Sequence, residues 1–211
     1  VIRPSILLLD EPLSNLDLKL REELRIEIMA LQRQLGITTI FVTHDQSEAL
    51  VMSDRVALMN NGRIEQLGTP TAVYERPETR FVAKFVGSMN FIPGKVVSAR
   101  NTDGIGVVCS DGVGEFTVRM PADIGVGAEV DLAIRPERLR VSRTGPPDWQ
   151  GFSVQGEIRQ IVYLGARCEI YLSLATGQLG IAEIPNDGLT NTFAVDEKVL
   201  VRASVDDCLV L

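Results

Sequence analysis

Apolar residues change their spacing part-way along this chain, and the change divides it in two. Residues 5–10, Ser-Ile-Leu-Leu-Leu-Asp, form a continuous apolar run that ends in acid. Such a run fits a strand buried on both faces, as in a parallel sheet. Glu11-Pro12 interrupts regular structure, and Ser14-Asn15-Leu16-Asp17 is a polar turn able to cap a helix. From about Leu18 to Leu35, the residues Leu20, Leu24, Ile28, Leu31 and Leu35 recur at helical spacing and give one apolar stripe. Gly36 supplies a stop. Ile37-Thr38-Thr39-Ile40-Phe41-Val42 then reads as a second strand, ending at Thr43-His44-Asp45. Strand, helix and strand at these lengths predict a right-handed crossover between parallel strands.

Asp45-Gln46-Ser47-Glu48 has the form of a capping box, so a helix is expected directly after His44. Asn61-Gly62, between the runs Val56–Asn60 and Arg63–Gln66, predicts a hairpin. Thr69-Pro70 opens short helical segments through Tyr74 and again around Phe81–Val86. After about Ser88 helical stripes stop, and short alternating strands with Gly, Asp and Pro turns take over. Gly94-Lys95-Val96-Val97 and Gly156-Glu157-Ile158-Arg159 open similar runs. Glu129–Ile134 matches Lys198–Ala203, and Leu139-Arg140-Val141 parallels Cys208-Leu209-Val210 at the same offset. The pattern predicts an internal duplication joined at Gly145-Pro146-Pro147-Asp148. Two modules, about 89–144 and 150–211, with five or so strands each suit small OB-like barrels. The expected fold is therefore an α/β portion over 1–88 followed by an all-β domain over 89–211.

In a parallel α/β sheet, ligands gather at the carboxyl ends of the strands. Asp10 and Glu11 end one strand and His44 ends the next. If the strands are neighbours, two carboxylates and an imidazole converge on one edge. One acid can hold a divalent cation, directly or through water, while the other orients and deprotonates an attacking water. The histidine can donate a hydrogen bond to a phosphate oxygen. Taken singly, each has a plainer reading: an acid at a strand end is a common solvated terminus, and a lone histidine is commonly structural.

The chain is long enough for one large or two small domains. Its formal net charge of −7, with acid in excess in both halves, argues against a nucleic-acid partner. Scarce aromatic-basic pairs argue the same for the barrels. Cys109, Cys168 and Cys208 stand singly in apolar runs at no zinc or redox spacing, and are expected to be small buried thiols in a reducing compartment. No apolar run approaches the ~20 residues that span a bilayer, and no signal peptide is evident. The opening, Val1-Ile2-Arg3-Pro4 without Met, suggests a piece of a longer protein.

Ile6-Leu7-Leu8-Leu9-Asp10-Glu11-Pro12-Leu13-Ser14-Asn15-Leu16-Asp17 resembles the Walker B and D-loop of ABC ATPases. Phe41-Val42-Thr43-His44-Asp45-Gln46-Ser47-Glu48-Ala49 is similar to their switch-histidine region, and Asp54-Arg55-Val56 with Asn61–Pro70 to the end of their nucleotide-binding domain. The resemblance implies that Asp10 holds Mg²⁺ through water, that Glu11 is the general base, and that His44 contacts the γ-phosphate of ATP. It implies that Ser14 and Asp17 lie on the loop touching the opposite nucleotide-binding domain. The family also carries a phosphate loop, a Q-loop and an LSGGQ-type signature before Walker B, and none of these occurs in this sequence. The chain is therefore expected not to hydrolyse ATP by itself.

Residues 89–211, with Arg135-Pro136-Glu137-Arg138, resemble the TOBE-type regulatory domain of importer ATPases of the maltose, polyamine, ferric-iron and aminoethylphosphonate kinds. The stretch Phe85–Gly94 leans toward the polyamine or aminoethylphosphonate branch. Arg135 and Arg138 read either as an anion site or as structural salt bridges; Trp149, in the join, reads as a packing residue. The resemblance implies an energy-coupling ATPase that forms a homodimer with two ATPs at its interface. It would drive transmembrane permease subunits fed by a periplasmic binding protein, and sit in the cytoplasm on the inner face of the membrane. The alternative is a non-catalytic module for dimerisation and ligand sensing. A DNA-repair ATPase of the same class is disfavoured, because no heptads occur. Strands that should flank 5–10 and 37–42 are partly missing, so the chain is expected to dimerise, by strand exchange or with its N-terminal third disordered.

Overall fold

A computed structural model describes residues 4–146, 148–175, 177–186 and 193–211. Val1-Ile2-Arg3 of the opening and Pro147 of the join lie outside the described residues. The chain divides into two compact units, Val1–Gly87 and Ser88–Leu211.

In the first unit, β1 (Ile6–Asp10) and β2 (Thr38–Val42) pair in parallel, from Ile6 opposite Thr38 to Asp10 opposite Val42. They are joined by α1 (Leu18–Leu35). The Asp17 carboxylate caps this helix by accepting from the Leu20 N–H, and Gly36 ends it in the left-handed region at φ 61°. The expected burial of β1 on both faces is not observed: Ile6, Leu7 and Leu8 are 52%, 36% and 69% exposed. The cause is the width of the sheet, which has two strands and so no neighbouring strand beyond either edge. The stripe of α1 is only partly covered: Leu24 and Ile28 are half-buried, Leu20, Leu31 and Leu35 are exposed, and the helix buries no residue fully.

The next helix, α2 (Gln46–Met52), starts after Asp45 as its capping signature predicts, but the box closes differently. Asp45 accepts from the N–H groups of Ser47 and Glu48. Glu48 does not reach back to the Asp45 N–H. Instead the Thr43 hydroxyl donates to Glu48 Oε2 at 2.5 Å and accepts from the Asp45 N–H at 3.0 Å, so a threonine relays the return half of the box. A hairpin of β3 (Val56–Asn60) and β4 (Arg63–Gly68) follows. Its turn residues Asn61 and Gly62 have φ of 49° and 77°, the positive values that an Asn-Gly hairpin turn requires. Two short helices, α3 (Pro70–Glu75) and α4 (Arg80–Phe85), complete the unit. Val56, Leu58, Val73, Val82 and Val86 form its core.

Among its described residues the regular elements of the second unit are strands and two 3-10 turns, Pro136–Arg138 and Val205–Asp207. Its first half supplies β5 (Asn90–Ser98), β6 (Ile105–Ser110), β7 (Gly114–Arg119), β8 (Glu129–Ile134) and β9 (Arg140–Ser142). The second half supplies β10 (Phe152–Tyr163), β11 (Arg167–Leu174), β12 (Leu179–Pro185), β13 (Lys198–Ala203) and β14 (Cys208–Val210). The duplication shows in the backbone. A bulge between Val96 and Ser98 of β5 corresponds to one between Ile158 and Gln160 of β10. The two five-stranded sheets, however, do not follow the repeat boundary. Their orders are β14-β8-β5-β6-β7 and β12-β11-β10-β13-β9, so each half closes its sheet with the last strand of the other. Alternation places one face of each strand inward, as in β11, where every second residue from Cys168 to Leu174 is buried. The two sheets, each curled as half of an OB-like pair, share one apolar core that includes Ile92, Leu132, Phe152, Ile170, Leu172 and Val201.

Buried Asn90 bridges the sheets. Its Nδ2 donates to the carbonyls of Ile134 and Ile181 at 3.1 and 2.9 Å, and its Oδ1 accepts from the Ile181 N–H at 2.7 Å. At the join, Gly151 has φ 115°, and a Cβ there would meet the Ala203 carbonyl at 2.4 Å, so only glycine fits. Trp149 is indeed a packing residue: Nε1 donates to the Phe152 carbonyl at 3.1 Å, and the Arg202 guanidinium lies 4.5 Å over its ring. Arg138 pairs with Asp207 at 3.5 Å, as the salt-bridge reading expects, whereas buried Arg135 donates to the Ser88 carbonyl at 3.2 Å. Cys168 and Cys208 are buried, whereas Cys109 is only partly covered.

Candidate functional site

The carboxyl ends of β1 and β2 lie side by side because the register is parallel and unshifted. Past Asp10 the chain makes one further ladder bond, from the Glu11 N–H to the Val42 carbonyl at 2.8 Å, and then turns. Glu11 makes that turn at φ 43°, in the left-handed region that costs a non-glycine residue on the order of 1 kcal/mol. Leu13, two residues on, is buried at 1% exposure. The Ser14 hydroxyl donates to the Glu11 carbonyl at 3.0 Å. The result aims the Glu11 side chain across the strand end, where its Oε1 stands 3.3 Å from His44 Nδ1. Both side chains are open to solvent, at 48% and 70% exposure. A ligand can therefore approach them.

Of the residues singled out in the sequence, the structure brings Glu11 and His44 together and places Asp10 and Ser14 in the same strand end and turn. Asp17 spends its carboxylate on the first turn of α1. One residue escaped the sequence reading. Arg21, on α1, reaches both turns: Nη2 donates to the Leu16 carbonyl at 3.1 Å, and Nη1 donates to Asp45 Oδ2 at 3.4 Å. Its Nε lies 3.9 Å from Glu48 Oε1. A signal was present. The first turn of α1 has no acidic residue, and a cation there opposes the helix dipole.

The Ser47 hydroxyl holds the Asp45 carboxyl below the usual carboxylate range. Burial opposes this, and the N–H groups of Ser47 and Glu48 and the Arg21 guanidinium reinforce it. Among the described residues no three His, Cys, Asp or Glu side chains cluster as a metal cage. The donors at the strand end are carboxylate oxygens, which suit Mg²⁺ when it keeps most of its waters and takes one or two protein ligands.

Residues 132–211 match the TOBE domain family. Much of the chain aligns with proteins named spermidine/putrescine import ATP-binding protein PotA. That of Acidothermus cellulolyticus is 42% identical over 188 residues, covering 89% of this chain and 48% of that protein. That of Pseudomonas fluorescens is 40% identical over 215 residues, covering 99% and 56%. The chain is similar in sequence to these importer ATP-binding proteins. It spans about half the length of the curated relatives it matches. Its fold also resembles a crystal structure of the cytoplasmic molybdate-binding protein ModG with molybdate bound, with a TM-score of 0.52 over 57% of this chain and 94% of that one. At 11% identity that likeness speaks for the fold alone. No helix among the described residues is long and apolar enough to cross a membrane.

Proposed function

We propose that this chain is part of the ATP-hydrolysing, energy-coupling subunit of an ABC-type import system. Residues 1–88 would be the later part of its P-loop-type nucleotide-binding domain and residues 89–211 a regulatory TOBE domain in two modules. The observation that carries the reading is the Glu11–His44 approach of 3.3 Å at the ends of two parallel strands. Glu11 is the general base. It takes a proton from water as the water oxygen bonds to the γ-phosphorus and the bond to the bridging oxygen of ADP breaks, leaving ADP and phosphate. His44 donates a hydrogen bond to a γ-phosphate oxygen, and Ser14 and Asp17 face the opposite nucleotide-binding domain. Asp10 would hold Mg²⁺ through water, which would neutralise phosphate charge. The partners that follow are a second copy, transmembrane permease subunits on the inner face of the membrane and, through them, a periplasmic binding protein. The names of the relatives favour a polyamine as the cargo.

This sequence contains no glycine-rich phosphate loop with its lysine to cradle a triphosphate, so the chain is expected to turn over no ATP alone. ATP turnover of this chain and of a form extended upstream along its native sequence tests the reading. Turnover is expected only in the extended form, and Glu11→Gln should lower it about 10²-fold or more. Undiminished turnover in Glu11→Gln would overturn the assignment.

A second reading, a dimerisation and ligand-sensing module without catalysis, is favoured by one observation: the core of the second unit is drawn entirely from its own residues. Ligand binding retained by a form of the chain with no turnover in any extension would favour it.

A further inference from the structure

Besides the Glu11–His44 approach itself, the Arg21 side chain ties the turn after β1 to the turn after β2. The guanidinium offers a fixed fork of donors, and its geometry decides how far those donors can be apart. Nη2 takes the main-chain carbonyl of Leu16, which belongs to the Ser14–Asp17 turn. Nη1 takes Asp45, the residue directly after His44, and Nε faces Glu48. Glu48 is 3% exposed and is bonded to the hydroxyl of Thr43, the residue directly before His44. Both chain neighbours of His44 are thereby referred to one cation on α1. The base of that cation is fixed as well, because the Arg21 N–H donates to the Asp17 carbonyl at 2.9 Å in the first turn of the helix. Arg21 itself touches neither Glu11 nor His44 in any bond that the structure shows.

We infer that Arg21 is a positioning residue, which sets the Glu11–His44 spacing by clamping the Ser14–Asp17 turn to the start of α2. The inference rests on the proposed catalytic reading of that pair. A carboxylate and an imidazole that are both largely solvent-exposed hold a fixed spacing only if their backbones are fixed, and the clamp supplies this. Lysine at the same place keeps the charge but presents a single donor centre. It lacks the planar fork whose two Nη atoms each reach one acceptor, so it would hold Leu16 and Asp45 in a less defined geometry. A displacement of about 1 Å at a reacting group can cost on the order of 10²-fold in rate.

Two measurements test this. In the upstream-extended protein, Arg21→Ala should lower kcat by about 10-fold or more with KM for ATP changed little, and Arg21→Lys should fall between it and the parent. In the 211-residue chain, the ring resonances of His44, the single histidine, should move in Arg21→Ala at constant pH. Should Arg21→Ala fail to fold, Asp45→Asn, which retains a helix-capping oxygen while losing the ion pair, should show the same kcat loss and ring displacement in weaker form. An unchanged kcat with unmoved His44 resonances in a folded variant overturns the clamp. A fall in kcat matched in full by Arg21→Gln and Arg21→Lys with no movement of His44 also overturns it. These failures are separate from failure of the catalytic reading, which shows as turnover surviving Glu11→Gln.

Discussion

Residues 4–52 and residues 88–211 carry apolar patterns of equal clarity, yet they differ in what those patterns bury. In the first stretch only Leu13 and Glu48 are buried among the described residues. In the second, every long strand contributes at least one buried residue to one core, and most contribute two or three. The contrast teaches that periodicity fixes which face of an element is apolar, not whether anything covers it. Leu172 and Leu31 occupy equally regular positions, but the first is fully buried and the second 54% exposed. The exposed stretch is also the one that carries the candidate chemistry, and its order comes from hydrogen bonds and ion pairs around Arg21 more than from packing.

Four measurements can break or sharpen that contrast. Leu172→Ala should destabilise the second unit by about 2–5 kcal/mol in urea unfolding, whereas Leu31→Ala should change stability by less than about 0.5 kcal/mol. Equal costs would erase the distinction. Thiol labelling comes next. Burial, with Asp207 adding to it and a backbone bond to Phe152 opposing it, pushes the Cys208 thiol up to about 12. Near pH 8 it should hold about a thousand-fold less thiolate than an ordinary cysteine. Cys208 should therefore be alkylated only when the unit unfolds, after the partly covered Cys109. Asn90→Ala should cost about 1–3 kcal/mol, because it strands the Ile181 N–H and two carbonyls between the sheets. The smallest effect is the pH response of Asp45. Its carboxyl is held low when folded, so its contribution is fully present above its ordinary value, about 4, and is lost as pH falls through the lowered folded value. Amide exchange at the start of α2 should quicken below about pH 4 relative to the core strands of the second unit.

Local signals explain why the elements of the first unit were legible in the sequence. Asp17, Gly36, Asp45, Asn61-Gly62 and Thr69-Pro70 act on their own neighbours, and each produces the cap, stop or turn it encodes. The parallel direction of β1 and β2 followed from the crossover rule, whereas their adjacency was only a condition in the sequence and is supplied by the ladder. The burial of β1 was not legible, because it depends on strands beyond its edge. The exchange of β9 and β14 was not legible for a different reason. The two strands are copies of one repeat position, so no pattern within either can say which of two equivalent sheets it joins. At the candidate site, the pair Glu11 and His44 could be read from strand ends, while the turn at Glu11 with φ 43° and the reach of Arg21 required coordinates.

The central claim is that Glu11 and His44 face each other at the ends of β1 and β2. Since the chain has a single histidine, its imidazole ring gives one set of nuclear magnetic resonance signals. Compared at one pH between the parent chain and Glu11→Gln, with the fold intact, those signals should be displaced. Ring signals that coincide in the two proteins would contradict the account.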